Sequence, residues 1–173
     1  MPSDLIVHVV GARPNFIKLA ALYPRLRCFN QIIIHTGQHY DYEMNKIFFE
    51  EFKIPEPDYD LNERSSSHGY QTGEMLKRCE EVLLKMKSNI VIVYGDTNST
   101  LAGALASVKL GIPVAHVEAG LRCGAKYMPE EINRILVGHI SELLFAPTKT
   151  ALKNLNEEGV NKEFIIHVEY NFK

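Results

Sequence analysis

The chain has no surplus of charge of either sign: 19 Lys and Arg stand against 21 Asp and Glu, a formal net charge of −2. Without a basic excess it lacks the electrostatic footprint of a nucleic-acid binder. No apolar run approaches the roughly 18 residues that a membrane span requires. The start, Met1-Pro2-Ser3-Asp4, has no basic n-region, which argues against a secretory signal peptide. Cysteine is scarce. Cys28, Cys79 and Cys123 are odd in number and widely spaced, with neither zinc-ligand spacing nor a CxxC pair. They read as reduced thiols of a cytoplasmic protein, and Cys123 is a weak candidate for a nucleophile. Also missing are the glycines of a GxGxxG fingerprint or a Walker loop, which speaks against a nicotinamide-dependent enzyme. No internal repeat, low-complexity tract or domain linker interrupts the chain.

What is present is an ordinary globular composition, 46% hydrophobic and 23% charged, over 173 residues, a length suited to one domain. Residues 5–10 (LIVHVV) form a short apolar run ending at Gly11, as a buried parallel strand would. A helix opens at Pro14, with Ile17, Ala20, Ala21 and Leu26 as its expected stripe. Residues 31–35 give a second strand and 43–52 a short helix. Residues 54–62, with two prolines, make a connection holding at most a brief extended piece. A polar loop, Ser65-Ser66-Ser67, precedes a long helix over 68–86 with the stripe Met75, Leu76, Cys79, Val82, Leu83 and Met86. Residues 89–94 (NIVIVY) are the clearest central strand. A helix rich in small residues follows over 98–110, then a strand at 113–117, a helix at 129–142 and a strand at 143–146. Thr148 caps a last helix running to Glu158, and a final strand occupies 163–168. Alternation of this kind predicts an α/β domain, a parallel sheet with helices on both faces. In such sheets ligands bind beyond the carboxyl ends of the strands.

Four polar loops fall at those ends. Gly11-Ala12-Arg13-Pro14-Asn15-Phe16-Ile17-Lys18 joins a strand to a helix, whose free N–H groups, with Arg13 and Lys18, suit a phosphate. The plain alternative is a turn glycine, a proline in the first turn and two solvated cations. Thr36-Gly37-Gln38-His39-Tyr40-Asp41 is rich in hydrogen-bonding groups, though a simple loop would look alike. Gly95-Asp96-Thr97-Asn98-Ser99-Thr100 carries a carboxylate at a buried strand end, where a raised pKa would suit an acid or base. Asp96 or Thr97 would equally serve as a helix cap.

The densest stretch runs from His116 to Arg134: HVEAGLR, then MPEEINR. It holds Glu118, Glu130 and Glu131, with Arg122, Arg134 and His116. Each charge has a bland account. Glu118 could pair with Arg122 across the turn, Glu130 with Arg134 along a helix at ~0.3–0.5 kcal/mol, and acidic residues favour a helix start. Those accounts leave unexplained why Asp96, Glu118 and Glu130 share a rim with Arg13 and Lys18.

The segments GARPNFIK, HTGQHYD, VYGDTNSTLAGALA, HVEAGLR, MPEEINRILVGH and LLFAPTKTALKNLNEEGV, in this order and spacing, are similar to the non-hydrolysing UDP-N-acetylglucosamine 2-epimerases. The resemblance covers Ile6 to Val160. It implies a Rossmann-like domain that is the N-terminal half of a GT-B architecture, whose active site lies in the cleft between two halves. It implies interconversion of UDP-GlcNAc and UDP-ManNAc by elimination of UDP, through a 2-acetamidoglucal, and re-addition to the other face, with no metal or other cofactor. By the same resemblance the catalytic acids fall on Asp96, Glu118 and Glu130. Arg13 and Lys18 lie near the diphosphate, Arg122 and Arg134 organise the carboxylates or the substrate, and Glu131 is counted among the substrate-binding residues. Gln38 and His39 are placed only in proximity. Family members are commonly dimers, so a homodimer is expected. The last residues, FIIHVEYNFK, lack the Gly-Asn-x-x-x-Asp sequence expected there, and residues 1–173 read as one domain without its UDP-binding C-terminal partner. Little or no activity of the chain alone is therefore expected. The alternatives are a hydrolysing 2-epimerase and a non-catalytic folding or dimerisation module.

Overall fold

A computed structural model describes residues 4–37, 49–63 and 67–168. Its seven strands are β1 (Leu5–Val10), β2 (Asn30–His35), β3 (Tyr59–Asp60), β4 (Ile90–Tyr94), β5 (Val114–Val117), β6 (Leu143–Ala146) and β7 (Ile165–His167). They form one sheet in the order β3-β2-β1-β4-β5-β6-β7, every pair parallel. The chain builds outward from β1 in one direction, then returns to β1's other side with β4. That reversal is the topological switch point of a Rossmann-like sheet, where a crevice opens between β1 and β4.

Among the described residues five complete helices cover the sheet: α1 (Arg13–Leu22), α2 (His68–Leu83), α3 (Asn98–Lys109), α4 (Pro129–Ile140) and α5 (Lys149–Glu157). Side chains alternate along each strand, so the central strands feed two cores. Val7, Val9, Val91 and Val93 pack with Cys79, Val82 and Leu83 of α2 and Ala104 and Ala106 of α3. On the opposite face Ile6, Val10, Ile92 and Tyr94 pack with Phe16 and Leu19 of α1. A third cluster seats α5, through Ala151 and Leu155, on Leu144 and Ala146. Gly103 of α3 lies so close to β1 that a Cβ there would stand 2.8 Å from the Val9 side chain, which explains the small-residue helix.

Several expectations shift. In α1 the buried residues are Asn15, Phe16 and Leu19, whereas Ile17 is 52% exposed. The helix also continues as a 3-10 turn over Tyr23–Leu26. The long helix α2 ends at Leu83 and buries Gln71 with its apolar stripe. The last strand is shorter than expected, because the 3-10 turn Lys162–Phe164 precedes it. Of the helix expected over 43–52, only 49–52 lie among the described residues, and those are helical. The brief extended piece in 54–62 is β3.

Candidate active site

The rim is assembled around Gly95, the residue after β4. Its φ is +70°, the left-handed region that favours glycine. A Cβ there would stand 3.0 Å from Lys18 Nζ and 3.6 Å from Glu118 Oε2. Both hydrogen-bonding groups of this residue are held by β5: its N–H donates to Val117 O at 2.9 Å, and its carbonyl accepts from His116 Nε2 at 2.7 Å. His116 is fully buried, and burial lowers its pKa to about 4, against the opposing effect of the Gly95 bond. It is therefore a neutral imidazole with its proton on Nε2.

Lys18 reaches from α1 to form an ion pair with Glu118. Glu118 itself has φ +73°. A non-glycine residue in that region costs on the order of 1–2 kcal/mol, and such strain concentrates at functional sites. The end of β4, just before Gly95, is held by Asn15. Its side-chain oxygen accepts from Gly11 and Ala12 N–H at 3.2 and 3.0 Å, and its amide donates to Tyr94 O at 2.9 Å. One buried amide thus ties the loop after β1 to the end of β4.

Asp96 pairs with Arg134 Nη2, from the second turn of α4. Its backbone carbonyl accepts from Asn133 Nδ2 at 2.9 Å. Thr97, not Asp96, caps α3, its hydroxyl accepting from Thr100 N–H. Arg134 Nη1 meets Glu131 at 3.2 Å. Glu131 is 2% exposed, and its oxygens also accept the Cys123 and Gly124 N–H groups at 2.9–3.2 Å. Burial pushes its carboxyl up, but the N–H bonds from Gly124 and Cys123 and the Arg134 contact outweigh that and hold it below its ordinary value. Glu130, one residue earlier, is half-buried and makes no ion pair among the described residues.

The pairs that local spacing suggested are replaced by distant ones. Glu118 does not meet Arg122, which grips Glu158 at the end of α5 through Nε and Nη2, both at 2.7 Å, and donates Nη1 to Leu121 O. Glu130 does not pair with Arg134. Arg13 is exposed at the start of α1. Gln38 and His39 lie outside the described residues. Asp96, Glu118, Lys18 and Arg134 therefore meet at the switch point, with Arg122 behind them holding α5 and Glu131 buried beneath the loop 121–128. Sequence reasoning missed three positions here: Asn15, Asn133 and Glu158. The first two are buried asparagines inside motifs already under suspicion, and that was the one available signal.

A family model described as UDP-N-acetylglucosamine 2-epimerase matches residues 25–168. A UDP-N-acetylglucosamine 2-epimerase homolog of Methanococcus maripaludis is 64% identical over 157 residues, 90% of this chain and 44% of that protein. A UDP-2,3-diacetamido-2,3-dideoxy-D-glucuronate 2-epimerase of Pseudomonas aeruginosa is 51% identical over 91% of this chain and 46% of that one. The crystal structure of Methanocaldococcus jannaschii UDP-GlcNAc 2-epimerase in complex with UDP-GlcNAc and UDP superimposes with a TM-score of 0.91. It is 52% identical, and the match covers 94% of this chain and 45% of that one. The chain spans about half the length of the curated relatives it matches.

Proposed function

The chain belongs to the UDP-N-acetylglucosamine 2-epimerase family, and from that premise we propose that it is the N-terminal, Rossmann-like half of a GT-B epimerase that interconverts UDP-GlcNAc and UDP-ManNAc. The observation that carries this reading is the meeting of two cation-paired carboxylates, Asp96 with Arg134 and Glu118 with Lys18, at the switch point.

The reaction needs what such a rim offers. One carboxylate takes the weakly acidic C2 proton. The C–H electron pair becomes the C1–C2 double bond, the C1–O bond breaks, and its pair leaves on the β-phosphate oxygen of UDP. Re-addition of that oxygen to C1, with a proton delivered to the other face of C2, gives the epimer. In this reading Asp96, Glu118 and Glu130 are the proton-handling groups, and Arg13 and Lys18 lie beside the diphosphate at the start of α1, where leaving-group charge develops. Gln38 and His39 belong near the same ligand. The second half supplies the facing wall and the UDP site. A homodimer and a reducing, cytoplasmic setting complete the reading, the latter supported by three free cysteines. No helix among the described residues is long and apolar enough to cross a membrane.

The sugar admits a second reading, favoured by the Pseudomonas relative named for a diacetamido-glucuronate. Anomeric proton NMR tests both sugars. Little or no conversion of UDP-GlcNAc is expected from the 173-residue chain alone. Conversion is expected once it is joined to the remaining half of the Methanocaldococcus enzyme. In that chimera Asp96→Asn, Glu118→Gln and Glu130→Gln should each lower the rate by about 10²-fold or more. Efficient UDP-ManNAc formation by the chain alone would overturn the half-site reading. An inert chimera, with no calorimetric binding of UDP-GlcNAc at millimolar concentration, would favour a non-catalytic module. Free ManNAc among the products would mark a hydrolytic outcome.

A further inference from the structure

Glu131 looks at first like another acidic residue of the substrate site. Its surroundings give it different work. At 2% exposure it has no open face for a sugar nucleotide. Oε1 accepts from Gly124 N–H at 2.9 Å and Cys123 N–H at 3.1 Å, and Oε2 accepts from Cys123 N–H at 3.2 Å and Arg134 Nη1 at 3.2 Å. Gly124 has φ +76°, so the loop turns there and presents two successive N–H groups to one carboxylate. Arg134's other terminal nitrogen, Nη2, is the one that meets Asp96. The planar guanidinium therefore bridges a buried carboxylate and a rim carboxylate. A guanidinium anchored at one nitrogen presents the other in a fixed direction.

We propose that Glu131 is a positioning residue: its buried carboxylate locks the loop 121–128 and the Arg134 fork together, and so sets where Asp96 stands on the rim. The claim rests on the epimerase reading only in naming Asp96 as a reacting group. Asn133, which holds the Asp96 carbonyl at 2.9 Å, fixes the backbone of the same residue from the same helix. Asp96 is thereby held through side chain and main chain by two consecutive residues of α4. Glu130 precedes them on that helix and takes no part in the bridge.

The geometry makes a ligand-free test possible, so its failure would leave the epimerase reading to be judged by the sugar-nucleotide assay. The 173-residue chain, labelled with 15N and 13C, is compared with Glu131→Gln, Arg134→Lys and Glu130→Gln. Three signals are followed: the Arg134 guanidinium N–H resonances, the Asp96 carboxyl carbon shift, and amide exchange at Cys123 and Gly124. In the parent, slowed rotation should leave the guanidinium signals resolved. In Glu131→Gln they should average, the Asp96 carbon should move as it does in Arg134→Lys, and Cys123 and Gly124 amides should exchange about tenfold faster or more. Glu130→Gln should leave all three unchanged. If Glu131→Gln fails to fold, Glu131→Asp keeps the charge but, one methylene shorter, cannot span both the loop and Arg134. It should then release one of the two contacts, with the Asp96 carbon or the two amides shifting accordingly. An Asp96 carbon that stays put in Glu131→Gln, or in Glu131→Asp where that variant is needed with both amides also unchanged, overturns the proposal. So does an equal response in Glu130→Gln.

Discussion

Gly120 and Gly124 share a backbone conformation and differ in what surrounds them. Their φ values are +82° and +76°. At Gly120 a Cβ would stand 2.4 Å from Ala151 O and 2.8 Å from the Leu155 side chain, whereas at Gly124 nothing lies within 4 Å. Gly124→Ala should therefore cost only the left-handed strain, about 1 kcal/mol. Gly120→Ala must also push α5 away and should cost about 3 kcal/mol or more. Urea midpoints of the two variants, at equal slope, make the comparison, and equal losses would contradict the close approach of α5. At this scale the sequence showed which residue types were suspicious but not their partners. Arg134 reaches Asp96 across 38 positions and Arg122 reaches Glu158 across 36. No local spacing rule points to either, and the pairs that spacing offers as the bland alternative, Glu118–Arg122 and Glu130–Arg134, do not form.

Elements were far more legible, because burial writes itself into periodicity. Strands β1 and β4, covered on both faces, appear as near-continuous apolar runs, broken in β1 only by His8, and α2 shows its stripe at helical spacing. The first helix, α1, was misread because its sequence holds two stripes of equal period. The one through Phe16 and Leu19 faces the sheet, and Ile17 is left outside. Only the pull of the β1–β4 face decides between them. At the other end of the domain, α5 depends on few contacts. Thr148 caps it, its hydroxyl accepting from Ala151 N–H at 3.0 Å. Leu155 is its one large fully buried side chain. Leu155→Ala should destabilise the domain by about 2–5 kcal/mol, read from chemical denaturation. A loss below about 1 kcal/mol would mean that α5 is held mainly by Arg122, Glu158 and the Asn154–Gly120 bond.

For the whole molecule, two buried histidines tie stability to pH. His8 and His116 are fully buried, and burial lowers each from an ordinary value of 6.5 to about 4. His8 is further enclosed by Tyr94 at 2.7 Å and Gln31 at 3.0 Å. Below pH 6.5 the unfolded chain binds protons at both positions that the folded chain refuses. Stability should thus be highest above 6.5 and fall as pH drops toward about 4, by on the order of 3 kcal/mol for each histidine. Denaturation midpoints between pH 7.5 and 4.5 measure this, and a flat profile would show that the two rings take up protons in the fold. The α/β class and parallel sheet were legible from alternation alone, and the rim from the placement of polar loops at strand ends. The order of strands was not, since pairing between β1 and β4 is decided by which apolar edges remain unfilled.

That pairing has a consequence in time. β1 lies inside the sheet and precedes the other six strands along the chain, yet Leu5 meets Asn89 across 84 positions. At the ~5–20 residues per second of ribosomal synthesis, β1 waits about 4–17 seconds for its second neighbour. In that interval a run of Ile and Val, closed on one edge by β2, has its other edge bare. The residues of an interior strand thus spend part of synthesis with an edge open to other chains, a hazard of birth rather than of the finished fold.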